Sequence, residues 1–247
     1  MTVVVVRGLE IWGIGKKNEK LIININQLKM RICISIQSER KPVPFNIQPI
    51  ITGAIHKWIG PNEVHNKTSM YSFSWLNGGR KKGDHLIFEN ETSFEFSAHD
   101  NDLIKKIING IQHDPSINFG LVVSDILIQE NPVFSNKHLF FVASPVLVKR
   151  TEQEREQHYT YEQSETDVLL TETLKTKLRR AGLNENNVQV TFDRNYLGAK
   201  TKLVHYKDIG NKTSICPVII EGTPEQIAFA WNVGVGNSTG IGFGSLK

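Results

Sequence analysis

Hydrophobic positions recur along this chain with two alternating periods, and the alternation maps its elements. In the segment Met30 to Gln37, Ile32, Ile34 and Ile36 fall two residues apart, the spacing that puts side chains on one face of a strand. Pro42, Pro44 and Pro49 interrupt the chain. Ile50, Ile51, Ala54, Ile55, Trp58 and Ile59 then recur at helical spacing until Gly60-Pro61 ends the pattern. Ser69 to Leu76 and His85 to Phe96 are aromatic and β-branched, with a turn-rich Asn77 to Gly83 between them, which predicts a hairpin. Asp100 is placed to cap a helix carrying Leu103, Ile104, Ile107, Ile108 and Ile111, and Asn118 to Gln129 reads as a strand. The order is β-α-β-β-α-β.

A second pass follows from Lys137. His138 to Val148 predicts a strand and the glutamate-rich Thr151 to Glu165 a loop. Val168, Leu169, Leu174, Leu178 and Ala181 then form the apolar stripe of a helix that Gly182 closes. Asp167 sits near its positive end, and Arg179 and Arg180 near its negative end. Asn187 to Asp193, Lys200 to Tyr206 and Thr213 to Glu221 read as strands, Pro224 to Trp231 as a helix behind the N-cap Thr223, and Ile241 to Leu246 as a last strand. Two passes through one order predict an α+β protein of two tandem ferredoxin-like, RRM-like β-α-β-β-α-β modules, residues 30–134 and 135–247. Residues 1–29, with the run Val3 to Val6, a lysine cluster and Leu21 to Ile25, read as an N-terminal extension that forms at most a short hairpin.

Composition narrows the class. The 247 residues are 39% hydrophobic and 22% charged, with 29 Lys and Arg against 25 Asp and Glu, a net charge of +4. Disordered and fibrous proteins are excluded. Apolar runs such as Val3 to Val6 and Gly120 to Val123 fall far short of the roughly 20 residues that cross a bilayer. The first residues lack a signal-peptide pattern, so the expectation is a cytoplasmic protein with no membrane partner. Cys33 and Cys216 are too few for a disulfide framework or a four-thiolate zinc site and read as buried thiols. With no His-Glu-x-x-His, no Cys-x-x-Cys and scattered histidines, the sequence predicts neither a metal site nor a cofactor.

The densest chemical signal is at the C-terminus, where Gly234, Gly236, Gly240, Gly242 and Gly244 lie within eleven residues that follow a helix and precede Ser245. Such density predicts positive φ angles, exposed backbone amides or close approach by another backbone. A dinucleotide fingerprint does not fit, because its glycines open a helix rather than follow one. Between Arg194 and Lys212, five basic residues (Arg194, Lys200, Lys202, Lys207 and Lys212) surround one acid, Asp208, and are interleaved with Tyr196, His205 and Tyr206. That pattern suits a phosphate backbone with stacked bases, and equally a strand edge kept soluble by lysines. Lys149-Arg150 and Arg80-Lys81-Lys82 extend the basic track, whereas Glu152 to Glu165 is acidic and should face away.

The run Gly234-Val-Gly236, polar spacer, Gly242-Phe-Gly244-Ser245 resembles the glycine-rich loop of the CRISPR-associated repeat-processing endoribonucleases of the RAMP superfamily. Val64-His65 followed by Met70 to Leu76 resembles that family's histidine segment and aromatic-serine strand, and the helix with Gly53 to Ile59 matches in pattern. The resemblance covers about residues 30 to 247 and implies the tandem fold already read from the pattern. It further implies a metal-independent endoribonuclease that binds CRISPR repeat RNA and cuts precursor transcripts into guide RNAs. Attack by the ribose 2′-hydroxyl needs a proton acceptor and a donor, which an imidazole supplies near neutral pH. The candidates are His65, in a polar loop ahead of a strand, and His56, on the preceding helix, with Lys67 to stabilise charge on the phosphate. Candidate RNA contacts are Arg194, Lys200, Lys202, Tyr206, the five loop glycines and Ser245. One alternative is a non-catalytic repeat-RNA-binding subunit of a CRISPR effector complex, and a second is a structural, protein-binding ferredoxin-like scaffold. Other effector subunits or a second copy of the chain, as a homodimer, are the further partners considered.

Overall fold

The structure is a computed structural model that describes residues 3–7, 10–13, 30–60, 68–89 and 92–247, with the backbone alone for the first two stretches. Its elements alternate helices with antiparallel strands in an α+β architecture, and contacts divide the chain into two compact units. The first is Met1–His65 with Trp75–Pro132, and the second is Asn66–Ser74 with Val133–Lys247. The break after Pro132 falls where the hydrophobic pattern restarts. The assignment of residues 66–74 to the second unit departs from the contiguous modules read from sequence.

The first unit contains β1 (Val3–Arg7), β2 (Glu10–Gly13), β3 (Met30–Ser38), β4 (Val43–Pro44) and α1 (Gln48–Ile59). After β5 (Tyr71–Phe73), which belongs to the second unit, come β6 (Gly79–Lys82), β7 (His85–Phe88), β8 (Thr92–Ala98), α2 (Asn101–His113) and β9 (Leu121–Glu130). Within it the strands run in the order β2-β1-β9-β3-β8, all antiparallel. The alternating isoleucines of β3 are fully buried, with Ile34 opposite Phe94 and Ile32 opposite Phe96 on β8. Truncating one such side chain costs about 2–5 kcal/mol. Helix α2 begins at Asp100, whose side chain accepts from the Asp102 amide at 2.9 Å, and lays Ile104, Ile107 and Ile111 into the core. Helices α1 and α2 touch where Gly110 faces Trp58, because a β-carbon at Gly110 would collide with the Trp58 backbone. The Trp58 indole closes the contact by donating to the Asp114 carbonyl at 2.8 Å.

Residues 1–29 do not all stand outside the fold. Val3–Arg7 pairs along β9 from Gln129 to Asp125, so the β-branched run covers what would otherwise be an open edge of the sheet. The lysine cluster and Leu21 to Ile25 lie outside the described residues.

The second unit contains β5, β10 (Lys137–Phe140), β11 (Val148–Glu152), β12 (Arg155–Tyr159), α3 (Glu165–Arg180), β13 (Gln189–Phe192), β14 (Lys200–Tyr206), β15 (Ile209–Ile215), β16 (Val218–Glu221) and α4 (Pro224–Val233). Its three-stranded sheet runs β10-β16-β13, antiparallel throughout. Phe140, Val190, Val218 and Ile220 from the sheet join Leu170, Leu174, Leu178, Ile227 and Phe229 from the helices in one buried cluster. Helix α4 starts in a reciprocal capping box between Thr223 and Gln226. Three expectations fail here. The strand read over His138 to Val148 ends at Phe140, and Val148 opens β11 instead. The stretch read as a loop after Thr151 contains the β11–β12 hairpin, whose turn uses positive φ at Gln153 and Glu154. Ile241 to Leu246 is not a strand but a 3-10 turn (Thr239–Ile241) followed by a single bridge from Leu246 to Val142, because Gly242 and Gly244 take positive φ. Among the described residues no helix is long and apolar enough to cross a membrane.

Candidate nucleic-acid interface

The histidine candidates separate. His56 is half-buried on α1, one turn before Gly60, whose amide donates to the His56 carbonyl at 3.1 Å. Its neighbour Lys57 is engaged within the protein, donating from Nζ to Asp114 Oδ2 at 2.8 Å and to the Ser116 carbonyl at 2.6 Å. Those hydrogen bonds, with further ones from Ser116, hold the Asp114 carboxyl well below the usual carboxylate range. His65 and Lys67 lie outside the described residues.

The basic residues fall into three classes. Arg194, expected to contact RNA, is exposed and its guanidinium is engaged within the protein. It meets Asp167 Oδ2 at 2.6 Å and Oδ1 at 3.1 Å, the Tyr161 carbonyl at 2.7 Å and the Gln163 carbonyl at 2.9 Å. Because Asp167 also accepts from the Phe192 amide, Arg194 fastens the start of α3 to the end of β13. Lys200 and Lys202 are exposed on β14, two residues apart and hence on one side of the β14–β15 hairpin. Burial of its stem, and then the neighbouring Lys200 charge, push the Lys202 pKa down. Tyr206 ends the same strand opposite Ile209, on the side shared by the two lysines. In the first unit, Arg80, Lys81 and Lys82 are exposed on β6, where Lys81 sits 5.7 Å above the Phe45 ring.

The glycine-rich segment is the most constrained part of the second unit, and it is not a loop of open amides. Gly234, Gly236, Gly242, Gly244 and Ser245 are buried, and Gly240 with them. The Val235 amide donates to the Gly244 carbonyl at 2.9 Å, that of Asn237 to Leu147 at 2.7 Å, and that of Gly244 to Pro145 at 2.8 Å. The two ends of the segment are therefore laced to each other and to the chain before β11. Gly244 shows why glycine is needed, since its φ is +63° and a β-carbon would run into the Val235 carbonyl. Tyr71 on β5 donates to the Gly240 carbonyl at 3.2 Å and Ser72 to that of Asn232 at 3.1 Å, so the aromatic-serine strand braces the segment from outside. Burial, and then the Tyr206 phenol, push the Tyr71 pKa up to about 12.

One stretch of the segment does open outward. Gly236 to Ile241, with Ser238 in the left-handed region at φ +58°, lines a cavity of about 570 Å³. Thr68, Ser69, Arg150, Glu172, Thr173, Thr176 and Lys177 complete its walls. Arg150 is fixed there by donating to the Leu169 carbonyl at 2.8 Å and to Thr173 at 3.1 Å. Hydroxyls, backbone groups and the Arg150 guanidinium, which the Glu172 carboxylate meets at 3.5 Å, give this open cavity a polar lining with which a phosphate-bearing ligand can form hydrogen bonds. Of the residues named from sequence, this region unites the glycine-rich segment with Arg150, and Tyr206 lies within electrostatic reach of the bracing Tyr71. Sequence reasoning passed over Lys177. Its signal was a lysine three residues after Leu174 and seven after Leu170, in the apolar stripe of α3.

Comparison with known proteins follows this geometry. Residues 129–247 match the family described as CRISPR associated protein Cas6, C-terminal. The chain is 23% identical over 168 residues, 65% of its own length and 69% of the relative's, to a putative CRISPR-associated endoribonuclease-like protein Cas6 of Pyrococcus furiosus. Among solved structures, a Cas6-related protein of Pyrococcus furiosus superposes with a TM-score of 0.77 at 20% identity, covering 89% of this chain and 98% of that one. A RAMP protein described as binding different RNA substrates gives a TM-score of 0.75 at 18% identity, covering 88% and 98%.

Proposed function

We propose that this chain, whose residues 129–247 match the Cas6 C-terminal family, is a Cas6-type CRISPR repeat-processing protein that binds CRISPR repeat RNA and cuts precursor transcripts into guide RNAs. The observation that carries the proposal is the match to the Cas6 C-terminal family over the part of the chain that holds a buried, braced glycine-rich segment beside a polar cavity. The likeness of the fold to a RAMP protein described as binding RNA substrates supports it. The strand order β10-β16-β13, with Leu246 bridging to Val142 beyond β10, supports reading the second unit as a ferredoxin-like module whose fourth strand has shrunk to one bridge. The order β9-β3-β8 with α1 and α2 supports the same reading of the first. On this reading the chain works in the cytoplasm, where precursor transcripts are made.

The proposed reaction uses the ribose 2′-hydroxyl as nucleophile. A base removes its proton, the oxygen attacks the adjacent phosphorus, the bond to the 5′-oxygen breaks, and an acid protonates that leaving oxygen. The products are a 2′,3′-cyclic phosphate and a 5′-hydroxyl. Only proton transfers and charge stabilisation are required of the protein, which is why no metal is invoked. His65 is assigned the proton transfers, with Lys67 stabilising the charged phosphate and His56 as the second candidate. His65→Ala should slow cleavage by about 10²–10⁴-fold while leaving repeat affinity nearly intact. Single-turnover cleavage and filter binding on one labelled repeat RNA check this, and full activity in the variant would move the assignment to His56.

The second reading is a non-catalytic subunit that holds repeat RNA within an effector complex, alone or as a homodimer. The position of His56 favours it, because that histidine is half-buried on a helix whose next residue, Lys57, is engaged with Asp114. Retention of repeat RNA without cleavage by the wild-type protein would establish this reading.

A further inference from the structure

Lys177 is nearly fully buried, with 3% of its surface exposed, on the inner side of α3. Its Nζ donates three hydrogen bonds, to the Val233 carbonyl at 3.1 Å, the Gly234 carbonyl at 3.3 Å and Thr239 Oγ1 at 3.1 Å. All three contacts go to the stretch from Val233 to Thr239: protonated, the group donates to all three, and neutral, it donates to the two carbonyls and accepts from the Thr239 hydroxyl. Two of the acceptors are carbonyls at the C-terminal end of α4, where the helix has no later amides to satisfy them. The third belongs to the 3-10 turn that forms the cavity wall. One side chain thus joins both ends of the stretch from Val233 to Thr239, across which Ser238 is held at positive φ.

We propose that Lys177 is a positioning residue for RNA, the pin that sets the glycine-rich segment in the conformation that presents the cavity wall. This rests on the RNA reading given above, but the pin itself is testable without RNA. Among the described residues no carboxylate ion-pairs with Lys177. The charged groups that line the same cavity are Arg150 of β11 and Glu172 of α3, paired with each other at 3.5 Å. Burial pushes the Lys177 pKa down to about 7 from its ordinary 10.5. The sign of the linkage follows. Opening the segment exposes Lys177 to water, and the open state then binds the extra proton between about 7 and 10.5. Raising the pH through that window therefore favours the closed segment, by at most tenfold per pH unit for one proton.

The test compares wild-type protein with Lys177→Met, which keeps the shape without the donors, and Lys177→Arg, which keeps donors and charge. Hydrogen exchange without RNA should show protection factors for the Val235, Asn237 and Gly244 amides at least tenfold lower in Lys177→Met, with the β16 amides unchanged and Lys177→Arg near wild type. The wild-type protection of those amides should rise with pH above 7, and the rise should vanish in both variants. Affinity for a fluorescein-labelled repeat RNA should fall at least tenfold in Lys177→Met and recover in Lys177→Arg. Unchanged protection in Lys177→Met, or an identical pH dependence in all three proteins, overturns the pin. Lost affinity with intact protection overturns positioning in favour of a direct charge contact. Lost protection in Lys177→Met together with no repeat-RNA binding by the wild type would support the pin and sink the RNA reading instead.

Discussion

At the scale of single residues, the glycines of the C-terminal segment carry structure first. Gly244→Ala forces a β-carbon against the Val235 carbonyl at a φ that side chains rarely adopt, and should lower stability by about 1–3 kcal/mol or more. A urea unfolding midpoint that matches the wild type would contradict the packing described. The two thiols make a second residue-scale case. Burial pushes the Cys216 thiol up to about 11 and raises Cys33 as well, and Cys216 has no exposed surface. Since the thiolate is the reacting species, iodoacetamide at pH 8 should modify Cys216 only when the protein is unfolded. Rapid labelling of Cys216 in the native protein would show the second core to be open. Of the readings the sequence offers for the glycine-rich segment, positive φ and close approach by another backbone describe it and open amides do not, because glycine spacing reveals backbone freedom and says nothing of which atoms occupy the space. The protein partners of Arg194 were hidden for a related reason. Its charge is visible in the sequence, whereas its partner Asp167, 27 residues away, is brought to it only by the packing of α3 on β13.

At the scale of elements, hydrophobic period located both central helices of each unit and the buried strands. It failed where turn chemistry or a tertiary partner decided. The β11–β12 hairpin turns on Gln153-Glu154, residues that carry no turn signal, and its strands are mostly polar because both faces see water. The run Val3 to Val6 reads as a strand in either setting, and only its pairing with β9 shows it to be part of a sheet. Deleting residues 1–29 should therefore uncover the edge of β9, lower the thermal stability of the first unit and promote concentration-dependent association, seen by size-exclusion chromatography. An unchanged, monodisperse chain beginning at Met30 would return that segment to the status of an extension. The β14–β15 hairpin supports a functional prediction. Replacing Lys200 and Lys202 with alanine should weaken repeat-RNA binding and make the slope of log affinity against log salt shallower by roughly 1.4, about 0.7 for each lost contact to a single strand. An unchanged slope would remove this hairpin from the RNA surface.

At the scale of the molecule, the chain folds as two units, and the short stretch 66–74 from the first half of the sequence serves the second. Tyr71 and Ser72 of that stretch brace the glycine-rich segment, so the aromatic-serine strand and the glycines, about 160 residues apart, form one structure. This is why the two motifs were legible together only through a family resemblance: the glycines stand out in the sequence, but their relation to the strand is tertiary. The central claim is cleavage of repeat RNA by internal 2′-hydroxyl attack. The most direct measurement incubates the full chain, in excess EDTA, with a labelled repeat RNA carrying ribose or 2′-deoxyribose just before the cut. The account predicts that the ribose substrate is cleaved to a 2′,3′-cyclic phosphate and a 5′-hydroxyl, while the deoxy substrate binds equally well and stays intact. Cleavage of the deoxy substrate, or binding of the ribose substrate with no cleavage, would contradict it.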